Sequence, residues 1–117
     1  MEPFIYTLVR RADWTAAESA GAYTGSADDR RDGFLHFSTA AQLRATAAKH
    51  RRGEHDLLII EAASAPLGDS LRFEPPASGR PGLFPHLYAA LPLSAVTRVL
   101  ELPLGADGLH IFPEGFA

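Results

Sequence analysis

Two short segments of this chain carry the same pattern: Gly33-Phe34-Leu35-His36-Phe37-Ser38-Thr39 and Leu83-Phe84-Pro85-His86-Leu87-Tyr88. Each reads Phe-x-His-x-hydroxyl inside an otherwise apolar stretch. Alternate residues share a face when the backbone is extended. The pattern therefore asks for strand-like geometry at two places far apart in the sequence. Phe34, His36 and Ser38 would project together, and so would Phe84, His86 and Tyr88. An aromatic wall, an imidazole and a hydroxyl are parts of a small polar pocket, so the sequence points at a site without naming a reaction.

The segments around these two are short and sharply punctuated. Phe4 to Val9 alternates, with β-branched and aromatic residues, which is a strand signal. Thr15-Ala-Ala-Glu18 has the form of a capping box and predicts a short helix that ends near Gly21 to Gly25. Trp14 precedes that box, where it can act as a hydrophobic staple or stack on a ligand. Ser26 to Gly33 is polar and charged and reads as an exposed loop. Thr39-Ala-Ala-Gln42 is a second capping box, so a helix is expected directly off the first histidine strand. It runs through Leu43, Ala47 and His50 at helical spacing. Leu57 to Ala62 is a near-continuous apolar run, as in an interior strand. Leu71 to Glu74 reads as a short strand, and Pro75 to Gly82 is dense in breakers, as in a mobile surface loop. Pro85 and Pro92 make Leu83 to Leu93 irregular or edge-like. Ala95 to Leu102 alternates as a strand does, and Leu109 to Phe112 reads as a last short one. The sum is two helices and five or six short strands, an α+β pattern.

Composition narrows the classes. A chain of 117 residues with 46% hydrophobic and 21% charged residues has the values of a globular protein, expected to form one domain over 1–117. It has no cysteine, which excludes disulfides and thiolate metal sites. No apolar stretch approaches the roughly 20 residues that a membrane span needs. The N-terminus lacks the pattern of a signal peptide, so a cytoplasmic location without membrane attachment is expected. The net charge of -3 argues against a general electrostatic grip on nucleic acid. There is no glycine-rich dinucleotide loop, no Walker A loop and no nucleophile elbow. His36, His86 and His110 show no spacing that favours a metal site, and none is assigned.

The histidines remain. His36 stands where a strand hands over to a helix start at Ser38 and Thr39, and free backbone N–H groups at such a start favour phosphate. A lone strand histidine is as readily a satisfied core residue, and a hydroxyl there is also needed as a cap. His86 follows a proline that stiffens the backbone and holds Phe84 extended. Glu61 and Glu74 end strands, where a carboxylate beside a histidine can act as a general base. The site expected on these grounds is His36 and His86 for proton transfer or polarisation. Phe34, Ser38, Thr39, Tyr88, Trp14 and Glu74 would supply ring contacts, phosphate contacts and orientation.

The same residues resemble a known bacterial family. They are Ile5-Tyr6-Thr7-Leu8, Trp14, Tyr23, Gly33 to Thr39, Leu57 to Glu61, Arg72-Phe73-Glu74, Phe84 to Tyr88, and Pro92 to Val99. Together they resemble the family called domain of unknown function 952, over nearly the whole chain. That family is similar in layout to the ADP-ribosyltransferase superfamily, whose small split sheets surround an NAD cleft, so the resemblance implies an α+β fold of two small, mostly antiparallel sheets, a split β core, with two helices. The resemblance implies a pocket for a nucleotide-like or ADP-ribose-like small molecule, with NAD as the cofactor it suggests. By position Thr7 would grip a ribose, His36 with Ser38 would line the nicotinamide pocket, and a residue near His86 would act in catalysis. Many relatives carry His where this chain has Thr7. The alternative from another class is a non-catalytic module that meets a protein partner through the proline-rich 74–85 loop.

Overall fold

In the computed structural model, which describes residues 2–116, the chain opens with strand β1 (Phe4–Arg10) and passes directly into helix α1 (Arg11–Ala20). The helix starts a turn earlier than the Thr15 box predicts. Its early amide at Arg11 donates to the Asp56 carbonyl at 2.9 Å, which replaces a side-chain cap. Trp14 and Ala17, three residues apart, form its buried face. Gly21, at φ +90°, ends it, with its N–H on the Ala17 carbonyl.

A two-residue strand β2 (Ala22–Tyr23) leads to helix α2 (Ala27–Asp32), where the sequence suggests a loop. Six residues are too few to show a periodic apolar face. The helix is held instead by its cap: the Asp29 amide donates to the Ser26 hydroxyl at 3.2 Å, and the Ser26 amide donates to Asp29 Oδ2 at 2.8 Å. Strand β3 (Leu35–His36) and helix α3 (Ala40–His50) follow as expected, and the Thr39 amide donates to Gln42 Oε1 at 2.9 Å.

The later elements are β4 (Leu57–Ala63), a 3₁₀ segment at Ala65–Ser70, β5 (Leu71–Glu74), β6 (Phe84–Leu87), β7 (Leu91–Pro92), a 3₁₀ turn at Leu93–Ala95, and β8 (Val96–Leu102). The expected strand at Leu109 to Phe112 reduces to a single bridge between Leu104 and His110. The fold is α+β with every paired strand antiparallel. Among the described residues there are three α-helices where two are expected. The strands form two three-stranded sheets, β1-β4-β8 and β3-β6-β5, and a small β2-β7 ribbon.

β4 is the middle strand of its sheet, and both its faces are covered. Leu58, Ile60 and Ala62 join a cluster with Trp14, Ala17, Leu87 and Leu91. Leu57 and Ile59 join another with Leu43 and Ala47 of α3 and Leu102 of β8. Burial on both sides is why this strand reads as a continuous apolar run. Reciprocal backbone bonds between Tyr6 and Ser38, at 2.8 and 2.7 Å, join the two three-stranded sheets at one point. Among the described residues no helix is long and apolar enough to cross a membrane.

The Phe84–Leu87 segment is a correction to the irregular or edge-like reading, since β6 is the central, wholly buried strand of its sheet. Proline is tolerated there for a local reason. The Pro85 carbonyl accepts from the Phe37 amide at 3.0 Å, so the Pro85 nitrogen faces the same side. That is where β3 has already ended and the chain is leaving for Tyr6. The missing donor falls at the last rung of a very short ladder.

Candidate functional site

The β3-β6-β5 sheet carries the site on one face. His36 pairs with His86, and His86 with Arg72; Phe84 pairs with Glu74. Cross-strand partners point the same way, and so do residues two apart on a strand. Leu35–Leu87 and Phe37–Pro85 are the positions that use β3-to-β6 hydrogen bonds, which makes His36–His86 a non-hydrogen-bonded pair. Such pairs bring side chains closer. The two imidazole centroids are 5.9 Å apart. Phe34 lies over both: it stacks on His86 at 4.1 Å, with ring planes 27° apart, and its centroid is 4.6 Å from His36. Tyr88 flanks Phe34 at 5.2 Å.

The two histidines are held differently. The His36 amide points away from β6 and donates to Asp29 Oδ1 at 3.1 Å. Its ring meets two carboxylates, with Nδ1 2.5 Å from Asp29 Oδ1 and Nε2 2.9 Å from Asp32 Oδ2. Two carboxylates at these distances favour the protonated ring. Its pKa is raised, chiefly by the Asp29 hydrogen bond, against burial and with help from Asp32. Burial pushes the Asp29 carboxyl up, but bonds from the His36 ring and from the Ser26 and His36 amides outweigh it and hold its pKa down.

His86 is 5% exposed and turns Nδ1 to Glu74 Oε1 at 2.8 Å. The Tyr88 hydroxyl donates to the same oxygen at 2.6 Å. The Tyr88 bond, then the His86 bond, keep the Glu74 carboxyl below its ordinary pKa. An ionised Glu74 fixes the proton of His86 on Nδ1 and leaves Nε2 as an acceptor. Among the described residues only Trp14 Nε1 and His110 Nδ1 are buried side-chain polar atoms without a partner. The unbonded Nε2 is therefore reached from outside.

A cleft of about 560 Å³ opens over this face; both histidines and Phe34 line it, with Thr7, Ser38, Thr46, Phe84 and Arg80. Its far wall comes from Asp29 and Asp32 of α2 and from Pro76, Ala77 and Ser78 of the proline-rich loop. Thr7 donates its hydroxyl to the His36 carbonyl at 3.0 Å, which ties β1 to β3 at the floor of the cleft. Ser38 is buried, its hydroxyl 2.9 Å from that of Thr46 on α3. A second cleft, of about 620 Å³, shares Tyr23, Ser26, Asp28 and Arg51 with this one but contains neither histidine.

The structure thus brings together Phe34, His36, His86, Thr7 and Ser38 on the cleft, with Glu74 and Tyr88 outside its lining but in contact with His86 and Phe34. Two of the expected contact residues fall elsewhere. Trp14 is 4% exposed and packs in the core at 6.1 Å from the Tyr23 ring, because its helix uses it as the buried anchor. Thr39 does not line the cleft, and its amide is taken up by Gln42 Oε1. Glu61 is also accounted for: Arg98 reaches its two oxygens at 3.0 and 2.7 Å, and Tyr6 donates to it at 2.9 Å. Asp29, Asp32, Thr46 and Arg80 were not singled out by sequence. The Ser26-x-x-Asp29 spacing was a signal for the first of these.

Comparison with known proteins places the chain. A family model described as Protein of unknown function (DUF952) matches residues 8–99. The crystal structure of protein CC0527 from Caulobacter crescentus is 42% identical and superposes with a TM-score of 0.86, over 92% of this chain and 93% of that one. The solution NMR structure of the same protein is 43% identical, with a TM-score of 0.81 over 92% of this chain and 90% of that one. No curated protein matches.

Proposed function

This chain belongs to the DUF952 family of proteins of unknown function, and within that family we propose that it binds a nucleotide-like small molecule of the ADP-ribose class, NAD included, in the cleft over the β3-β6-β5 face. The observation that carries this reading is the pairing of His36 with His86 under one aromatic ring, at the wall of a cleft large enough for such a ligand. The two imidazoles have separate roles. His36, flanked by two carboxylates that favour its cationic form, shapes the field of the cleft. His86, oriented by Glu74, offers Nε2 to a ligand hydroxyl and is the group suited to accept a proton. The 75–83 loop serves the cleft as a wall, which favours this reading over a separate protein-docking role.

The test is an NMR titration with NAD, ADP-ribose and simple nucleotides, read at the amides of residues 34–42 and 84–88. Saturable shifts confined to those segments, lost in His86→Asn with the fold intact, support the proposal. Shifts absent at millimolar ligand, or spread over the β1-β4-β8 sheet, refute it.

A further inference from the structure

We propose that Arg80 is the anion anchor of this cleft and takes the phosphoryl group of its ligand; this rests on the reading of the cleft given above. Three arginines line the cleft: Arg31, Arg51 and Arg80. Arg31 is committed to Asp28 and Asp32. Arg51 is committed to Glu54 and to the Leu8 carbonyl. Arg80 has no carboxylate within ion-pair distance among the described residues, although acidic side chains are plentiful in this chain.

Its guanidinium is nonetheless positioned. One face lies on the Phe84 ring, 4.5 Å from the centroid, and Nη1 donates to Thr46 Oγ1 at 3.3 Å. Thr46 can accept there because its own proton goes to the Gln42 carbonyl, at 3.2 Å. Stacking on a ring and a single edge contact fix the plane and leave the other N–H donors of the fork unused. A planar fork held in place, without a counter-ion, is the form that receives phosphate oxygens in pairs. Arg80 thus sets a cation without a carboxylate partner, among the described residues, into a cleft whose α2 wall carries Asp28, Asp29 and Asp32. An elongated ligand with one anionic end has a single orientation in such a field. Its phosphate lies at Arg80, and its ring end lies toward Phe34 and His86.

The experiment compares adenosine, ADP and inorganic pyrophosphate on the full chain and on Arg80→Gln, by calorimetry and by amide shifts at residues 46 and 80. ADP is expected to bind the unaltered chain at least about tenfold more tightly than adenosine, and Arg80→Gln to abolish that margin while leaving adenosine binding unchanged. Arg80→Lys should recover part of it, since a point charge replaces the fork. Equal binding of adenosine and ADP by the unaltered chain, or ADP binding that survives Arg80→Gln, overturns the assignment. If neither nucleotide binds, the nucleotide reading fails by itself. Pyrophosphate shifts at residues 46 and 80 that vanish in Arg80→Gln then uphold the anion anchor, and their absence overturns it.

Discussion

Gly25 sits at the junction of α2 with the site, and replacing it with alanine separates two costs that are usually confounded. Its φ is +104°, and a Cβ built there meets Leu35 Cδ2 at 2.6 Å and Asp29 Cβ at 2.7 Å. Gly21 supplies the comparison, because its φ is +90° and a Cβ there meets nothing within 4 Å. Both substitutions carry the conformational penalty of an L-residue at positive φ, about 1–2 kcal/mol, part of which is offset by a less flexible unfolded chain. Gly25→Ala adds an overpacking cost of about 1–3 kcal/mol, because Leu35 is in the core and Asp29 is fixed by its cap. Urea denaturation should therefore show Gly25→Ala less stable than Gly21→Ala by about 1–3 kcal/mol, which corresponds to an extra fall in Tm of roughly 3–12 °C for a chain of this size. The displaced atom is the Cβ of the residue that clamps His36. The His36 pKa should consequently drop in Gly25→Ala and stay put in Gly21→Ala. Equal stability losses, or an unmoved His36 titration in Gly25→Ala, would refute the argument.

Three further outcomes are expected. The Glu61 carboxyl is held down at about 2, first by its Arg98 hydrogen bonds and against burial. Its contribution is full above pH 4.5 and is lost as the pH falls through 2; with Arg98 exposed, Glu61→Gln should cost about 1–2 kcal/mol at pH 7, and progressively less as the pH falls toward and below 2 in acid titrations of stability. His36 has a raised pKa, so its ion pairs stabilise fully below pH 6.5 and are lost as the pH climbs through the folded value. Ring ¹⁵N shifts should show that value above 6.5 and falling in Asp29→Asn, with amide protection in residues 27–32 declining over the same range; a midpoint below 6.5 contradicts the double clamp. Trp14→Ala should lower stability by about 3–5 kcal/mol by denaturant melts, while Trp14→Phe keeps the amide response at residues 34–42 to nucleotide, since the indole belongs to the core.

Much of the fold was legible because the signals were local and strong. The Leu57–Ala62 run fixed an interior strand, and the Thr39 box fixed the start of α3. The alternating Phe-x-His segments announced a shared face, and cross-strand pairing placed them side by side. The misreadings have physical causes. Thr15 looked like a cap, but an amide can be satisfied by a distant carbonyl, here Asp56, which no local pattern reveals. The polar 26–33 segment hid a helix because six residues held by caps need no apolar stripe. Pro85 argued against a central strand, and the argument fails only because β3 is so short. At the site, Asp32 and Arg80 were invisible because what they touch is set by tertiary contact.

The Pro85 rung has one more consequence. A two-residue strand such as β3 has little of its own to stop it from sliding along its neighbour. Shifted by two residues, Phe34 or Ser38 would face His86 in place of His36, with the same inside-outside alternation preserved. Bringing Leu35 opposite Pro85 moves the missing donor from the last rung to an inner one, and a slide either way draws the Phe37 amide off the Pro85 carbonyl. The imino acid thus acts as a mechanical detent for a strand too brief to index itself, and it locks one imidazole in front of the other.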